Sequence, residues 1–475
     1  MFEVSTTFYV VLVIYFAVIL GIGIWSGTKN KGSEDFLVAG RSIGPLVGGA
    51  AFAATQMSAG TFVGTLGVHY LTGGSYLWIW CGLWFGWLVA ATLVGPKFQA
   101  FKGLTVPDYV GTRFNSKVAR GISAILILVA YTVYLTAQYQ AGGNILQTLF
   151  GIPFIWGAIL TIGITLLYTM VGGMRATAYS DFVQAVIMAG CFFAALPVLF
   201  HQAGGSEFVG KFLTELNPKI TGWHYGFKDL LGFGAAFGFS MAAAPYELAR
   251  MYTLRDKRTV KLAIGYSFIF QAIVAISVAA AGMAIRTLYP FMSTPDIAST
   301  IMAINIVPPV IGSLIIIAII SAIMSTVSGI MMVSASAFSH DFYATMIKPK
   351  ATDKELMVVN RIAVLVLGIV PIFLALKKLD IVQFIVVLQA SLTASFFFST
   401  VILGLNWKRG TAAGAIVSMV GGFFTALFWY LAGNPFGLKE VIPGVLVSFV
   451  LFIVVSLVTK PVPNEALKPF FDDIR

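Results

Sequence analysis

Residues 48–62 read GGAAFAATQMSAGTF. The stretch is apolar enough to lie in hydrocarbon, yet it is built from small residues and carries Thr55, Gln56, Ser58 and Thr61 near its middle. A helix in lipid must satisfy its own backbone hydrogen bonds, so polar, small-residue stretches at mid-depth mark places where a helix gives way. A second such stretch holds Gly232, Gly234, Gly238 and Ser240, then three alanines, Pro245 and Tyr246. The competing reading is that small residues simply let helices pack closely.

Outward from these stretches the chain is apolar almost throughout. Its 475 residues are 58% hydrophobic and 10% charged, with mean hydropathy +0.91. A soluble chain is about 45–50% apolar and about 25% charged, so lipid must be the solvent for much of this one. A crossing needs about 20 mostly apolar residues. Runs at about 6–26, 44–72, 75–96, 121–149, 153–171, 179–201, 229–249, 262–287, 309–338, 357–376, 381–404, 411–433 and 440–459 predict thirteen spans, numbered here in chain order.

Assigning loops alternately to two faces leaves only Lys211, Lys219, Lys228, Arg286, Lys377, Lys378 and Lys439 on one face, and the other 23 of the 30 Lys and Arg on the opposite face. The positive-inside rule then predicts an outer N-terminus and a cytoplasmic C-terminus. It also explains the net charge of +11 without a nucleic-acid partner. Cys81 and Cys191 lie inside apolar runs and predict no disulfide, and His69, His201, His224 and His340 are too scattered for a metal site. Residues 1–7 lack a basic n-region, so the first run reads as a retained span. The longest extramembrane stretch, about 202–228, is too short for a soluble domain.

The two polar stretches fall on spans 2 and 7, five apart. Transporters built from inverted repeats place broken helices at corresponding positions of their halves. The expected organisation is one transporter domain over 1–459: repeat one at about 44–201, repeat two at about 229–404, flanking helices at 6–26, 411–433 and 440–459, and a tail at 460–475. Span 9 adds Ser321, Ser325, Thr326, Ser328, Ser334 and Ser336. Hydroxyls often bond back to their own helix. Ala322, Ser325 and Thr326, however, are spaced i, i+3 and i+4 and share one face. One carbonyl and two hydroxyls make half of a site for a hard monovalent cation, and unwound carbonyls opposite would supply the rest.

Four motifs carry a family resemblance. They are SEDFLVAGRSIG at 33–44; GGMRA at 172–176 followed by Ser180, Asp181 and Gln184; AIMST at 322–326; and GLNWKR at 404–409 with Gly414 and Ala415. Together they resemble the sodium/solute symporter family, which includes bacterial proline and pantothenate permeases and sodium–glucose transporters. The resemblance runs from about Gly21 to the end of span 13. It implies an all-α polytopic protein with the LeuT-type five-plus-five inverted repeat. It implies a Na⁺ site made by the carbonyls of Ala54, Met57 and Ala322 with the side chains of Ser325 and Thr326. It also implies that Asp181 serves ion coupling or release, as an acid at that depth would. The competing role for Asp181 is a helix-end salt bridge to Arg175 or another loop base. Proline permeases carry aspartate where this chain has Gln56, and the text around Gln138, Gly143 and residues 151–154 looks closer to pantothenate permeases.

Candidate solute contacts are Gln56, Thr61, Gln138, Tyr139, Ser240 and Tyr246. The tyrosines have packing as a competing role, and the amides have interhelical bonding. Arg250 is assigned to the basic loop cluster with Arg255, Lys257, Arg258 and Lys261. The expected function is Na⁺-coupled import of a small organic solute by alternating access, in the inner or cytoplasmic cell membrane. The solute is read as a carboxylate such as pantothenate or a monocarboxylate, with proline or another amino acid, and a sugar, as alternatives. A solute sensor on the same fold and a passive channel are the rivals from other classes. No nucleophile–base pair, metal set or nucleotide loop points to an enzyme, and no obligate protein partner is evident.

Overall fold

The computed structural model describes residues 6–377 and 381–471; Lys378, counted above on the less basic face, and both chain ends lie outside them. The described residues are helical throughout, apart from connecting turns and one isolated bridge between Ile43 and Leu254. Helix is the form in which an apolar run satisfies its own backbone in lipid.

Among the described residues ten helices are long and apolar enough to cross a membrane. The thirteen predicted runs merge or fall short for identifiable reasons. Spans 5 and 6 run on without a loop over the 49 residues Phe154–Gln202, with a kink at Gly173. The second half of span 2 and span 3 are joined through Gly60–Phe101, and the first part of span 7, Phe227–Ala243, has only 17 residues.

The kink at Gly173 replaces the loop predicted at 172–178. Its φ of 60° and ψ of −153° suit glycine, and a Cβ there would stand 2.6 Å from the Phe36 carbonyl. The chain doubles back at this corner. Gly23 and Gly27 of span 1 (Thr6–Gly27) pack on Tyr168 and Val171 before it, whereas Tyr15 accepts a 2.9 Å hydrogen bond from Gln184 after it.

Spans 3 and 7 approach through glycines. A Cβ on Gly82 would lie 2.1 Å from the Gly234 carbonyl, and one on Gly86 would lie 2.2 Å from the Gly238 carbonyl. Each helix thus presents a glycine pair four residues apart, the spacing that lets membrane helices meet backbone to backbone.

Both expected breaks are present. In span 2 the helix Pro45–Gln56 ends at Met57 (φ −71°, ψ 81°), and the chain resumes as a wide turn over Gly60–Thr65 and the helix Leu66–Thr72. In span 7 the helix Phe227–Ala243 stops at Ala244 (φ −61°, ψ 125°), and Pro245 opens a short helix, Pro245–Met251. The residue before a proline is pushed to extended backbone, and proline suits the first helical position because its missing N–H is not needed there.

Candidate ion and solute site

A broken helix leaves backbone donors without a helical partner. Span 4, Lys117–Phe150, supplies acceptors to both breaks. The Ala59 amide donates to Gln138 Oε1 at 3.0 Å, and the Tyr246 amide donates to Tyr131 Oη at 2.9 Å. Tyr131 and Gln138 are seven residues apart, two turns along one face. The Tyr246 ring also packs against Tyr131 and Tyr134, with centroids at 5.9 and 6.2 Å.

Span 9, Pro309–Ser336, lies against the span 2 break. Ser325 Oγ is 2.9 Å from the Ala54 carbonyl and 3.1 Å from the Ala322 carbonyl. Thr326 Oγ1 donates to the Thr55 carbonyl at 2.9 Å. Met57, at the break itself, is fully buried and has left helical geometry, which turns its carbonyl out of the ladder. The structure therefore gathers Ala54, Ala322, Ser325 and Thr326 in one buried place, with Met57 three residues on from Ala54. The donors are neutral oxygens, the type that hard cations select. The two hydroxyls now donate to carbonyls; an ion would turn their lone pairs towards itself.

Gln56 and Thr61 line a narrow cavity, about 10 Å³ of free space, between spans 2, 3, 7 and 11, together with Ser58, Trp80, Phe237 and Gln383. Gln56 is hydrogen-bonded to Gln271 of span 8, and Gln383 Nε2 donates to Tyr76 Oη at 3.0 Å. The other four candidate solute residues are not on this wall. Gln138 and Tyr246 sit at the breaks, as described. Tyr139 and Ser240 are buried, and each keeps a hydroxyl without a partner among the described residues. Trp80, Gln271 and Gln383 were not anticipated. Gln383 carried a signal, since a buried amide in an apolar span needs a partner.

Asp181 meets a different base from the one expected. Its Oδ2 lies 2.6 Å from Arg250 Nη2, while Arg175 faces Asp35 at 3.7 Å and donates to the Ala39 carbonyl at 3.1 Å. Arg250 does not belong to the loop cluster: it is only 3% exposed. The reason is the helix restarting at Pro245, whose one and a half turns carry Arg250 back into the protein. Gly329 on span 9 makes the room, because a Cβ there would stand 2.8 Å from Arg250 Nη2.

The two faces of the bundle differ. The face carrying the basic loops is sealed. Arg41 donates to the carbonyls of Lys102, Gly103 and Tyr252, Ile43 N bonds to the Thr253 carbonyl, and Arg255 bonds to the Ser42 carbonyl. Arg120 holds Asp108 at 3.1 Å and buried Asp341 at 2.7 Å. Towards the other face a cavity of about 380 Å³ is lined by residues that include Val63, Asn144, Thr148, Thr300 and Ile381.

The model of the sodium:solute symporter family matches residues 36–422. The chain belongs to that family. Its members are sodium-coupled transporters, not enzymes, and Na⁺ is the coupling ion. Similar proteins include the osmoregulated proline transporter OpuE of Bacillus subtilis strain 168, 29% identical over 94% of each chain. The high-affinity proline transporter PutP of the same strain is 30% identical over 95% of this chain and 98% of its own. A sodium/proline symporter of Staphylococcus aureus strain JH9 is 30% identical over 95% of this chain and 93% of its own. In structure, the chain resembles the substrate-bound outward-open state of a Na⁺-coupled sialic acid symporter, with a TM-score of 0.84 at 18% identity over 97% of this chain and 99% of that one. It also resembles MhsT in complex with L-phenylalanine, with a TM-score of 0.53 at 13% identity over 88% and 99% of the two chains. The fold is LeuT-like. These relatives give the pantothenate reading no support and fit the proline alternative.

Proposed function

We propose that this symporter imports a small amino acid, proline foremost, with Na⁺ across the cell membrane. The observation that carries the reading is the junction at Ser325, whose hydroxyl touches carbonyls of both span 9 and the span 2 break. An ion bound by Ala54, Met57, Ala322, Ser325 and Thr326 ties these elements together and fixes the break beside the cavity. Gln56, Thr61, Trp80 and Gln383 then hold the solute there as the narrow cavity widens to admit it. Gln138 and Tyr246 hold the breaks that border that cavity, and Tyr139 and Ser240 have unused buried hydroxyls for the solute to engage. Asp181 serves ion coupling or release from the inner side.

The orientation follows the charge split: thirteen crossings, outer N-terminus, cytoplasmic basic face. With that face sealed and the opposite cavity wide, the conformation corresponds to the outward-facing state. Each Na⁺ entering at about 100 mV contributes roughly 2.3 kcal/mol, and a tenfold Na⁺ gradient adds about 1.4 kcal/mol. One ion therefore supports accumulation of a net-neutral amino acid by about five hundredfold. Proline is such a solute, whereas a monoanion entering with one Na⁺ gains only the gradient contribution.

The test is a panel of radiolabelled proline, pantothenate, acetate and glucose offered to proteoliposomes with and without an inward Na⁺ gradient. Proline should accumulate only with Na⁺. Accumulation of another member of the panel in its place would reassign the solute. No accumulation of any of them, with specific binding retained, would favour a sensor.

A further inference from the structure

Glu247 is the third residue after the span 7 break, and nothing in the ion or solute site uses it. It is 1% exposed, and neither carboxylate oxygen has a hydrogen-bond partner among the described residues. An unpaired carboxylate away from water is costly enough that it either binds a cation or takes up a proton.

The surroundings decide between these. The half-helix Pro245–Met251 packs against spans 2 and 9 and the helices Phe227–Ala243, Gly95–Phe101 and Val106–Arg113. The helices Pro45–Gln56 and Pro309–Ser336 contain no ionisable residue. Lys228 and Asp229 lie at the far end of Phe227–Ala243. Lys97 is held by Asn406 Oδ1 at 2.7 Å, and Asp108 by Arg120. Arg113 is held by the carbonyls of Gly404 and Trp407 at 2.6 and 2.9 Å. Tyr109 Oη donates to the Thr400 carbonyl at 3.3 Å. From span 4, Tyr131, Tyr134 and, on its own helix, Tyr246 are in electrostatic reach of Glu247. Arg250 is also in reach, but its guanidinium is bonded to Asp181. One base thus stands between two buried acids, leaving one negative charge in excess. A transition-metal ion has too few donors here: among the described residues no group of three or more His, Cys, Asp or Glu exists, and Tyr131 Oη already receives the Tyr246 amide; a Na⁺ on the carboxylate is the alternative that the infrared test below separates from a proton. A solute ammonium would have to reach past the cavity, whose wall does not include Glu247. A proton needs one oxygen.

We propose that Glu247 is a proton-binding site of the transport cycle. It holds a proton while the basic face is sealed. When the half-helix swings away and water enters from the cytoplasm, the carboxylic O–H breaks, the proton passes to water, and the carboxylate is hydrated. Resealing requires the reverse step, so cytoplasmic protons permit the return to the outward-facing state. The exchange occurs on one face only and adds nothing to the driving force.

The test uses the full chain in lipid. The infrared spectrum of the wild type at neutral pH should contain a protonated-carboxyl band that Glu247→Gln lacks and Glu247→Asp retains at a shifted position. Glutamine mimics the protonated acid, so E247Q should fold and melt as the wild type does. In proteoliposomes with external pH fixed, wild-type Na⁺-driven uptake of radiolabelled proline should fall by up to about tenfold per unit of internal pH once the carboxyl is ionised, and E247Q should be flat. The proposal is overturned if the band is unchanged in E247Q or if E247Q unfolds, since a charged carboxylate with a cation partner would then be indicated. It is also overturned if E247Q keeps the wild-type internal-pH profile while losing proline affinity. The infrared arm stands whether or not proline is the solute.

Discussion

Arg250 Nη2 and Asp181 Oδ2 lie 2.6 Å apart, both side chains almost wholly buried, joining the half-helix behind the span 7 break to span 6. In the proposed alternating-access cycle this pair links the half-helix to its surroundings. Removing one partner of a buried pair leaves an uncompensated charge and costs about 3–5 kcal/mol, whereas replacing both by neutral groups is far milder. D181N and R250M should each lower the thermal unfolding midpoint, and the double variant should recover most of the loss. Equal, additive losses would mean that the two residues act separately. D181N should also slow uptake more than it weakens solute binding.

The breaks depend on span 4. Tyr131→Phe removes one oxygen and leaves the Tyr246 amide buried without an acceptor, which costs about 1–3 kcal/mol. Gln138→Leu does the same to the Ala59 amide. Both variants should unfold at lower temperature, and Y131F should do so with the cavity wall intact. Unchanged melting of Y131F in lipid would show that the break is satisfied in another way.

Spans 3 and 7 have no room between them. Gly86→Val places a side chain where even a Cβ would be 2.2 Å from the Gly238 carbonyl. Overpacking of this kind costs about 1–3 kcal/mol, and here it also pushes a cavity wall outward. Uptake should be lost while the protein still reaches the membrane. Gly163→Val, where a Cβ meets nothing within 4 Å, is the matched control and should transport normally.

Orientation can be checked chemically. With Cys81 and Cys191 replaced by serine, a cysteine at Ala432 should react with an impermeant thiol reagent in intact cells. A cysteine at Lys408, across span 12 (Ala412–Leu431), should react only after permeabilisation. The reverse pattern would invert the charge-based topology.

Much of this architecture is legible in the letters. Hydrophobic runs give the helices because lipid leaves the backbone no other partner, and the small, polar stretches at 48–62 and 232–246 give the breaks. The i, i+3, i+4 spacing of Ala322, Ser325 and Thr326 puts them on one face, and the structure sets that face against Ala54. What fails is whatever depends on adjacency between distant segments. No periodicity says that Tyr131 and Gln138 cap breaks in two other helices. Arg250 looks like a loop base because five basic residues lie between 250 and 261; only the restart at Pro245 returns it to the interior. Gly173 reads as part of a loop, yet one glycine at positive φ makes the whole corner. Glu247 was visible as an acid just past a proline in an apolar span, and only its burial without a partner separates it from a solvated loop acid.

The Na⁺ dependence of uptake tests the central relationship most directly. The Na⁺ concentration for half-maximal proline uptake should be measured in proteoliposomes for the wild type, S325A, and S325A with T326A. Each lost oxygen ligand worth about 1.4 kcal/mol raises that concentration about tenfold, so the double variant should need on the order of a hundredfold more Na⁺, with the cavity beside the break intact. An unchanged Na⁺ dependence in the double variant would contradict an ion held between span 9 and the span 2 break.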